Sequence, residues 1–331
     1  MDMMNTLKNF MLTPAPSGYE NEMAYRMMDC LKPFCQNVTI DHVGNVIAKV
    51  EGTNGYLQVD RLGGIPEKVL PGLQLLIRSE DGRWHQGVFG PKAHHATPAE
   101  EKYKVDLVTS LFIDVGAKSD TEVRNLGIEV GCPVIYKPAF ENLMGTRVTG
   151  TAVDNRGSCA ALVGIAEHLS SHRPACDVYL VGTVWEEFNL RGAMMAARTV
   201  KPDLAIMLDV TLAGDTHDLK GRFEDKLGEG PCVTLYSFHG RGTLNGTLPH
   251  QPLFDLCKKT AVQEGFHLQR FASLGIVTDA AYLQLEQDGV ACLEMGFPAR
   301  YTHTRSEVCD VSDLEDLARL VAAMACNVDD K

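Results

Sequence analysis

The chain has 331 residues, 45% of them hydrophobic, which is long enough to bury a full core and to hold two domains or one domain with a large insertion. Its 31 Lys and Arg against 43 Asp and Glu leave a net charge of −12, which disfavours nucleic-acid or anionic-membrane partners, because these require a basic face. The ten cysteines are scattered without a CxxC pair, the start lacks a basic and an apolar signal region, and no run nears the roughly 20 apolar residues of a membrane span. A reducing cytoplasm is the expected setting, with cysteines such as Cys159 and Cys292, set in apolar runs, serving as small core residues.

From the start, Ser17 and Glu20 have capping-box spacing, and Met23, Met27 and Leu31 recur on one face, so a helix is predicted over about 18–32. A strand-like run, "NVTIDHVGNVIAKV", leads into "VEGTNGYLQVDRLGG" at residues 50–64. There two alternating runs flank Asn54-Gly55, the pattern of a tight hairpin. From Tyr56 to about Arg147 come short alternating runs ("LQLLIRS", "RWHQGVFG", "VDLVTSLFIDVG", "CPVIYKP") broken by Gly, Pro and Asp, with a helical turn near "SDTEVRNLGI". This texture predicts a small β-rich, barrel-like domain over 56–147, and "GPKAHHATPAEEKYK" within it reads as an exposed loop.

After Gly150 strands and helices alternate. "SCAALVGIAEHLS" is a helix, "DVYLVGTV" a strand apolar enough to be buried on both faces, "RGAMMAARTV" a helix and "LAIMLDV" a strand. "QPLFDLCKKTAVQEG" and "AAYLQLEQ" follow as helices, "GVACLEMG" as a strand, and "VSDLEDLARLVAAMACNV" as a last helix with Ser312 and Glu315 in capping-box spacing. The alternation predicts an α/β domain, residues 1–55 and 148–331, with a mainly parallel sheet and helices on both faces.

In such sheets functional groups gather past the carboxyl ends of strands. Asp154 stands at a helix start, Glu186 and Glu187 end the most apolar run, Asp209 ends "LAIMLDV", and His303 follows the last predicted strand. Singly each has an ordinary reading: a helix cap, a solvated pair, a turn acid, a surface histidine. Together they hold the oxygens and imidazole nitrogen that zinc or a hard divalent cation takes. A pair of metals roughly 3.5–4 Å apart needs a shared carboxylate, further carboxylates, histidine and one more acid to accept a proton. Asp154, Glu187, Asp209 and His303 supply most of that set, and Glu186 is left over as base.

"DNR" at Asp154, "EE...LRGA" from Glu186 to Ala193, "LDVT" at Asp209, "TDAA" at 278–281 and His303 resemble the motifs of the M42 metallo-aminopeptidases, of the glutamyl and tetrahedral-aminopeptidase type. "GNVIAKVEG" and "SLFIDVGAKS" extend the resemblance over nearly the whole chain. It implies that Asp154 bridges two metals, zinc, cobalt or manganese; that Glu187 and His303 complete one site and Asp209 serves the other; and that Glu186 is the general base attacking N-terminal peptide bonds through water. It further implies short peptides as substrates, and a homo-oligomer, from dimer to dodecamer, built through the inserted domain.

One departure stands out. The family carries a buried strand with a His-x-Asp pair between the "KVEGT" and "GYLQVDRLGG" counterparts; its histidine binds the second metal. None of this chain's eleven histidines is followed two positions on by Asp, so the segment is missing at Asn54-Gly55. The expectation is a sheet short of one strand, a second metal left with Asp154 and Asp209, one ion per chain in place of two, and impaired activity. His94 and His95 are weak substitutes because loop histidines face solvent, and Arg191 and Arg300 lie near enough in sequence to meet a substrate carboxylate. Two other readings stay open: a catalytically inactive relative acting as an assembly partner, and another two-metal amidohydrolase, a carboxypeptidase or deacylase.

Overall fold

The computed structural model describes residues 8, 10, 12–13, 21–33, 36–40, 46–49, 55–239 and 246–328. The chain divides into two compact units, one from the described residues of Met1–Gln58, Leu76–Gly90 and Phe112–Val134, the other from Val59–Leu75, Pro91–Leu111 and Ile135–Lys331.

In chain order the first elements are α1 (Asn21–Leu31), β1 (Gln36–Ile40), β2 (Val46–Lys49) and β3 (Tyr56–Gln58). Next come β4 (Gln74–Arg78), β5 (Trp84–Phe89), β6 (Phe112–Asp114), α2 (Asp120–Asn125) and β7 (Val134–Tyr136). The early helix falls where its apolar spacing put it, while Ser17 and Glu20 lie outside the described residues. Helix α2 is capped by Ser119, whose hydroxyl accepts the Glu122 amide at 3.2 Å. The loop around His94 and His95 is exposed, as its composition predicts.

The hairpin reading of residues 50–64 is corrected. Residues 50–54 lie outside the described set, but the two flanking strands do not pair with each other: β2 pairs antiparallel with β1, and β3 with β6. A turn signal between two runs does not decide their partners: β2 takes the strand just before it in the chain, and β3 takes a strand more than fifty residues on. Strand β3 ends the five-stranded sheet, in the order β3-β6-β5-β4-β7.

The second unit contains β8 (Phe140–Asn142), β9 (Arg147–Gly150), α3 (Val153–Ser171), α4 (Arg191–Val200), β10 (Leu204–Leu212), β11 (Cys232–Phe238) and β12 (Gly246–Thr247). It continues with α5 (Gln251–Glu264), β13 (Gln269–Leu274), α6 (Ala280–Leu283), β14 (Ala291–Arg300), β15 (Glu307–Asp310) and α7 (Val311–Cys326). The sheet is mixed: β10 with β14 and β11 with β13 are parallel, and the other pairings are antiparallel along β12-β11-β14-β15-β9-β8. Alternation along β14 sends successive side chains to opposite faces. Cys292 packs with Ala193, Ala197 and Leu283 of α4 and α6, whereas Leu293, Met295 and Phe297 join Ile165, Leu317 and Met324 of α3 and α7. Helices on both faces of one sheet make this an α/β fold. Gly296 is required by the pairing itself, because a Cβ there would lie 1.7 Å from the Asp209 carbonyl oxygen of the neighbouring strand.

Three expectations fail locally. "DVYLVGTV" forms no strand: residues 177–183 belong to no helix or strand, and Val178, Tyr179, Leu180, Val181 and Val184 are between 39% and 64% exposed. A strand buried on both faces needs partners along its edges, and among the described residues β10 pairs with β14 alone. Cys159 is exposed, on the outer side of α3, while Cys292 is buried as predicted. The last helix opens on Asp310, whose carboxylate accepts the Ser312 amide at 3.1 Å, so Ser312 lies inside the first turn and Ser312 with Glu315 is not the cap. Among the described residues no helix is long and apolar enough to cross a membrane.

Candidate metal centre

Three chain segments of the second unit bring the predicted acids and histidine together. Asp154 comes two residues after Ala152, which is left-handed at φ 58°, and keeps extended backbone (φ −82°, ψ 106°) before α3 becomes helical. Glu186 and Glu187 sit in the loop before α4, where Trp185, Asn189 and Leu190 all hold positive φ, of 59°, 73° and 55°. Left-handed non-glycine residues cost backbone energy and concentrate at functional loops. His303 lies in the turn joining β14 to β15, itself at φ 63°, so it precedes the last strand rather than following it. Asp209 lies within β10, three residues before its end.

His303 Nε2 stands 3.2 Å from Asp154 Oδ2 and 3.4 Å from Glu187 Oε1, and one donor atom from each of these three residues lies within 4.8 Å of the others. The other ring nitrogen, Nδ1, is 3.1 Å from the Gly64 carbonyl oxygen, the contact by which a ligating histidine is oriented. Gly63 and Gly64, from the "RLGG" of the sequence, pass tightly here: a Cβ on Gly64 would lie 2.9 Å from His303 Nδ1, and one on Gly63, at φ 79°, would lie 3.0 Å from Glu187 Oε2. Two carboxylates and an imidazole converging on one point fit a single divalent ion.

Asp209 is not in that group. Its Oδ1 accepts Asn155 Nδ2 at 2.9 Å and the Val210 amide at 2.8 Å, which leaves Asp154 and Asp209 as the only predicted ligands of a second ion. Among the described residues that set does not fit a second metal; His94 and His95 are exposed loop residues and belong to no such donor group. Burial holds the Asp209 carboxyl well above the usual range, with the Asp154 and Glu186 charges adding to the shift. Arg300 pairs with Asp215, donating at 2.8 and 2.5 Å, and Arg191 stacks 4.8 Å over the Phe188 ring.

Glu186 is half-buried beside these three residues, and burial, then the charges of Glu187, Asp279 and Asp154, push its carboxyl up to about 8. Asp279, of "TDAA", accepts the Thr183 hydroxyl at 2.7 Å. Two residues that the motifs did not single out complete the surroundings: Asn155, which holds Asp209, and Glu307, buried at the start of β15. The available signals were the Asn beside Asp154 in "DNR" and an acid four positions after His303.

The metal-free centre therefore ties stability to pH. Glu186 and Glu307, the latter raised by burial to about 7, keep protons in the folded chain that the unfolded chain releases above about 4.5. Their contributions are lost as pH rises through about 4.5–8 and about 4.5–7. His303, raised to about 10 chiefly by its hydrogen bond to Asp154, stabilises fully below about 6.5 and loses that contribution as pH rises towards 10. All three have the same sign. Thermal melts in chelator should fall steadily from about pH 5 to about pH 9, and zinc should abolish or reverse the slope because the ion takes the place of the His303 proton. Equal slopes with and without zinc would show that these groups do not meet at the centre.

Comparison with known proteins agrees with the geometry. The family model for the M42 glutamyl aminopeptidases matches residues 39–320. A putative aminopeptidase of Escherichia coli K12, SgcX, is 37% identical over 287 residues, covering 86% of this chain and 76% of the relative. The lysyl aminopeptidase of Pyrococcus furiosus is 29% identical, covering 96% and 95%. Among solved structures, the TET aminopeptidase of a marine-sediment Thaumarchaeota archaeon is 27% identical with a TM-score of 0.78, covering 98% and 97%. The TET1 peptidase of Pyrococcus horikoshii, described as assembling into a tetrahedron or a large octahedral shell, is 26% identical with a TM-score of 0.71, covering 98% and 100%. The chain belongs to the M42 family of metal-dependent aminopeptidases.

Proposed function

We propose that this chain removes N-terminal residues from short peptides with a single divalent ion, zinc, cobalt or manganese, held by Asp154, Glu187 and His303, and that Glu186 is its general base. The observation that carries the reading is the convergence of three donor atoms from three separate segments within 4.8 Å, with a protonatable carboxyl beside them. The ion supplies Lewis acidity to the peptide carbonyl when bound. Glu186 takes a proton from the attacking water and returns it to the leaving amine, a shuttle suited to a carboxyl whose pKa is raised towards neutrality. Asn155 fixes Asp209 against the end of the centre, and Gly63 and Gly64 bring backbone close to Glu187 and His303.

Loss of the His-x-Asp segment leaves turnover impaired relative to a two-metal enzyme, since the second ion's charge is missing at the reacting carbonyl. The same reading assigns the protein to the cytoplasm, and makes residues 56–147 an inserted domain through which copies assemble, between a dimer and a dodecamer. Support for assembly comes from the shells described for the Pyrococcus horikoshii relative.

The test is metal content and substrate preference together. One ion per chain, with hydrolysis of aminoacyl-anilides that chelator abolishes and zinc, cobalt or manganese restores, is the expected result. No metal and no turnover at high enzyme concentration would make the chain a non-catalytic assembly partner, a reading favoured by the exposed run at 178–184. Cleavage from the carboxyl end, or of acylated amino acids only, would make it a carboxypeptidase or deacylase.

A further inference from the structure

We propose that Glu307 is a positioning residue that sets the spacing of Asp154 and His303 before any ion arrives. This role rests on the reading of the centre given above. Glu307 opens β15 opposite Gly150, the last residue of the strand that leads to Asp154, and is only 2% exposed. Its carboxylate is divided between the two ligand segments. Oε1 accepts the His303 amide at 2.6 Å, and Oε2 accepts the Asp154 amide at 3.0 Å, across 153 positions of sequence.

A buried carboxylate is costly unless its oxygens are satisfied, and charge-assisted bonds to main-chain amides are among the stronger ways to do so. Here both donors belong to proposed metal ligands, so the group that Glu307 orders is the ligand backbone itself. His303 needs such a hold because its left-handed backbone is disfavoured for a residue with a Cβ. With its amide bonded to Glu307 and Nδ1 against the Gly64 carbonyl, the imidazole has one orientation left, with Nε2 towards Asp154 and Glu187. Asp154, whose amide is bonded to the other oxygen of the same carboxylate, is brought to that point by the same clamp.

Glu307→Gln keeps the size of the side chain but leaves one acceptor oxygen and an NH2 group, which meets one of the two amide donors head-on, so one ligand segment is released. The zinc Kd, measured by competition with a chelating dye on metal-free protein that keeps its circular dichroism spectrum, should rise about 10- to 100-fold. At saturating zinc, kcat should recover towards the wild-type value with KM unchanged, which a general loss of packing would not produce. An unchanged Kd in a folded variant overturns the role. Should Glu307→Gln not fold, hydrogen exchange on the wild type decides. Protection of the Asp154 and His303 amides in the metal-free protein supports the clamp, and protection that appears only with zinc overturns it. A wild type that binds zinc and turns over substrate beside a variant of equal affinity removes the positioning role alone; a wild type that does neither removes the functional reading and this role with it.

Discussion

Glu186→Gln should lower kcat on aminoacyl-anilides by about 10²- to 10⁴-fold while leaving metal content and KM near the wild-type values. Glutamine matches glutamate in shape and hydrogen-bonding reach, but it cannot take a proton from water and hand it on. Glu186 is suited to that exchange because burial and three neighbouring acids hold its carboxyl at about 8 in the metal-free chain. A bound cation pulls it down from there by opposite charge, towards the range where a base works near neutral pH. The variant is also expected to bind zinc at least as tightly as the wild type, since Glu186 lies outside the converging donor group. A kcat close to wild type would remove Glu186 as the base and leave Asp279 or Asp209 as the acids to examine.

His303→Ala acts on a different quantity. The imidazole is the only nitrogen donor among the three, and structural zinc sites of roughly 10–16 kcal/mol over four ligands give about 3 kcal/mol per ligand. Zinc affinity should therefore fall at least about a hundredfold. Two carboxylates facing each other without imidazole also repel in the metal-free state. Equilibrium dialysis against buffered zinc measures the first effect directly. Activity should return in part at high zinc concentration, since Glu186 is untouched, and this rescue separates lost binding from lost chemistry. Stoichiometric zinc retained after dialysis would place the ion elsewhere in the chain.

Much of the centre was legible in the order of residues. Asp154, Glu187 and His303 come from motifs that carry ligand chemistry in their residue types, and the structure brings all three together. The helices were equally legible where apolar spacing is strong, as in α4, which spans the predicted "RGAMMAARTV". "DVYLVGTV" was misleading for a physical reason. An apolar run states that a segment can be buried, but burial in a sheet depends on neighbours along its edges, and this chain's sheet gives residues 177–183 none among the described residues. Asn54-Gly55 misled in the same way, since a good local turn does not decide which strands pair.

The α/β class, the residue types proposed as ligands and base, and the lack of a His-x-Asp pair were readable from the order of residues, because composition, periodicity and residue type are local properties of the chain. Which of those residues meet is a property of the folded chain. The fold drew Asp209 aside onto Asn155, passed Gly64 against His303, and joined the amides of Asp154 and His303 through the carboxylate of Glu307. These are contacts between segments far apart in sequence. They exist because strand pairing and the burial of polar groups are satisfied over the whole unit at once.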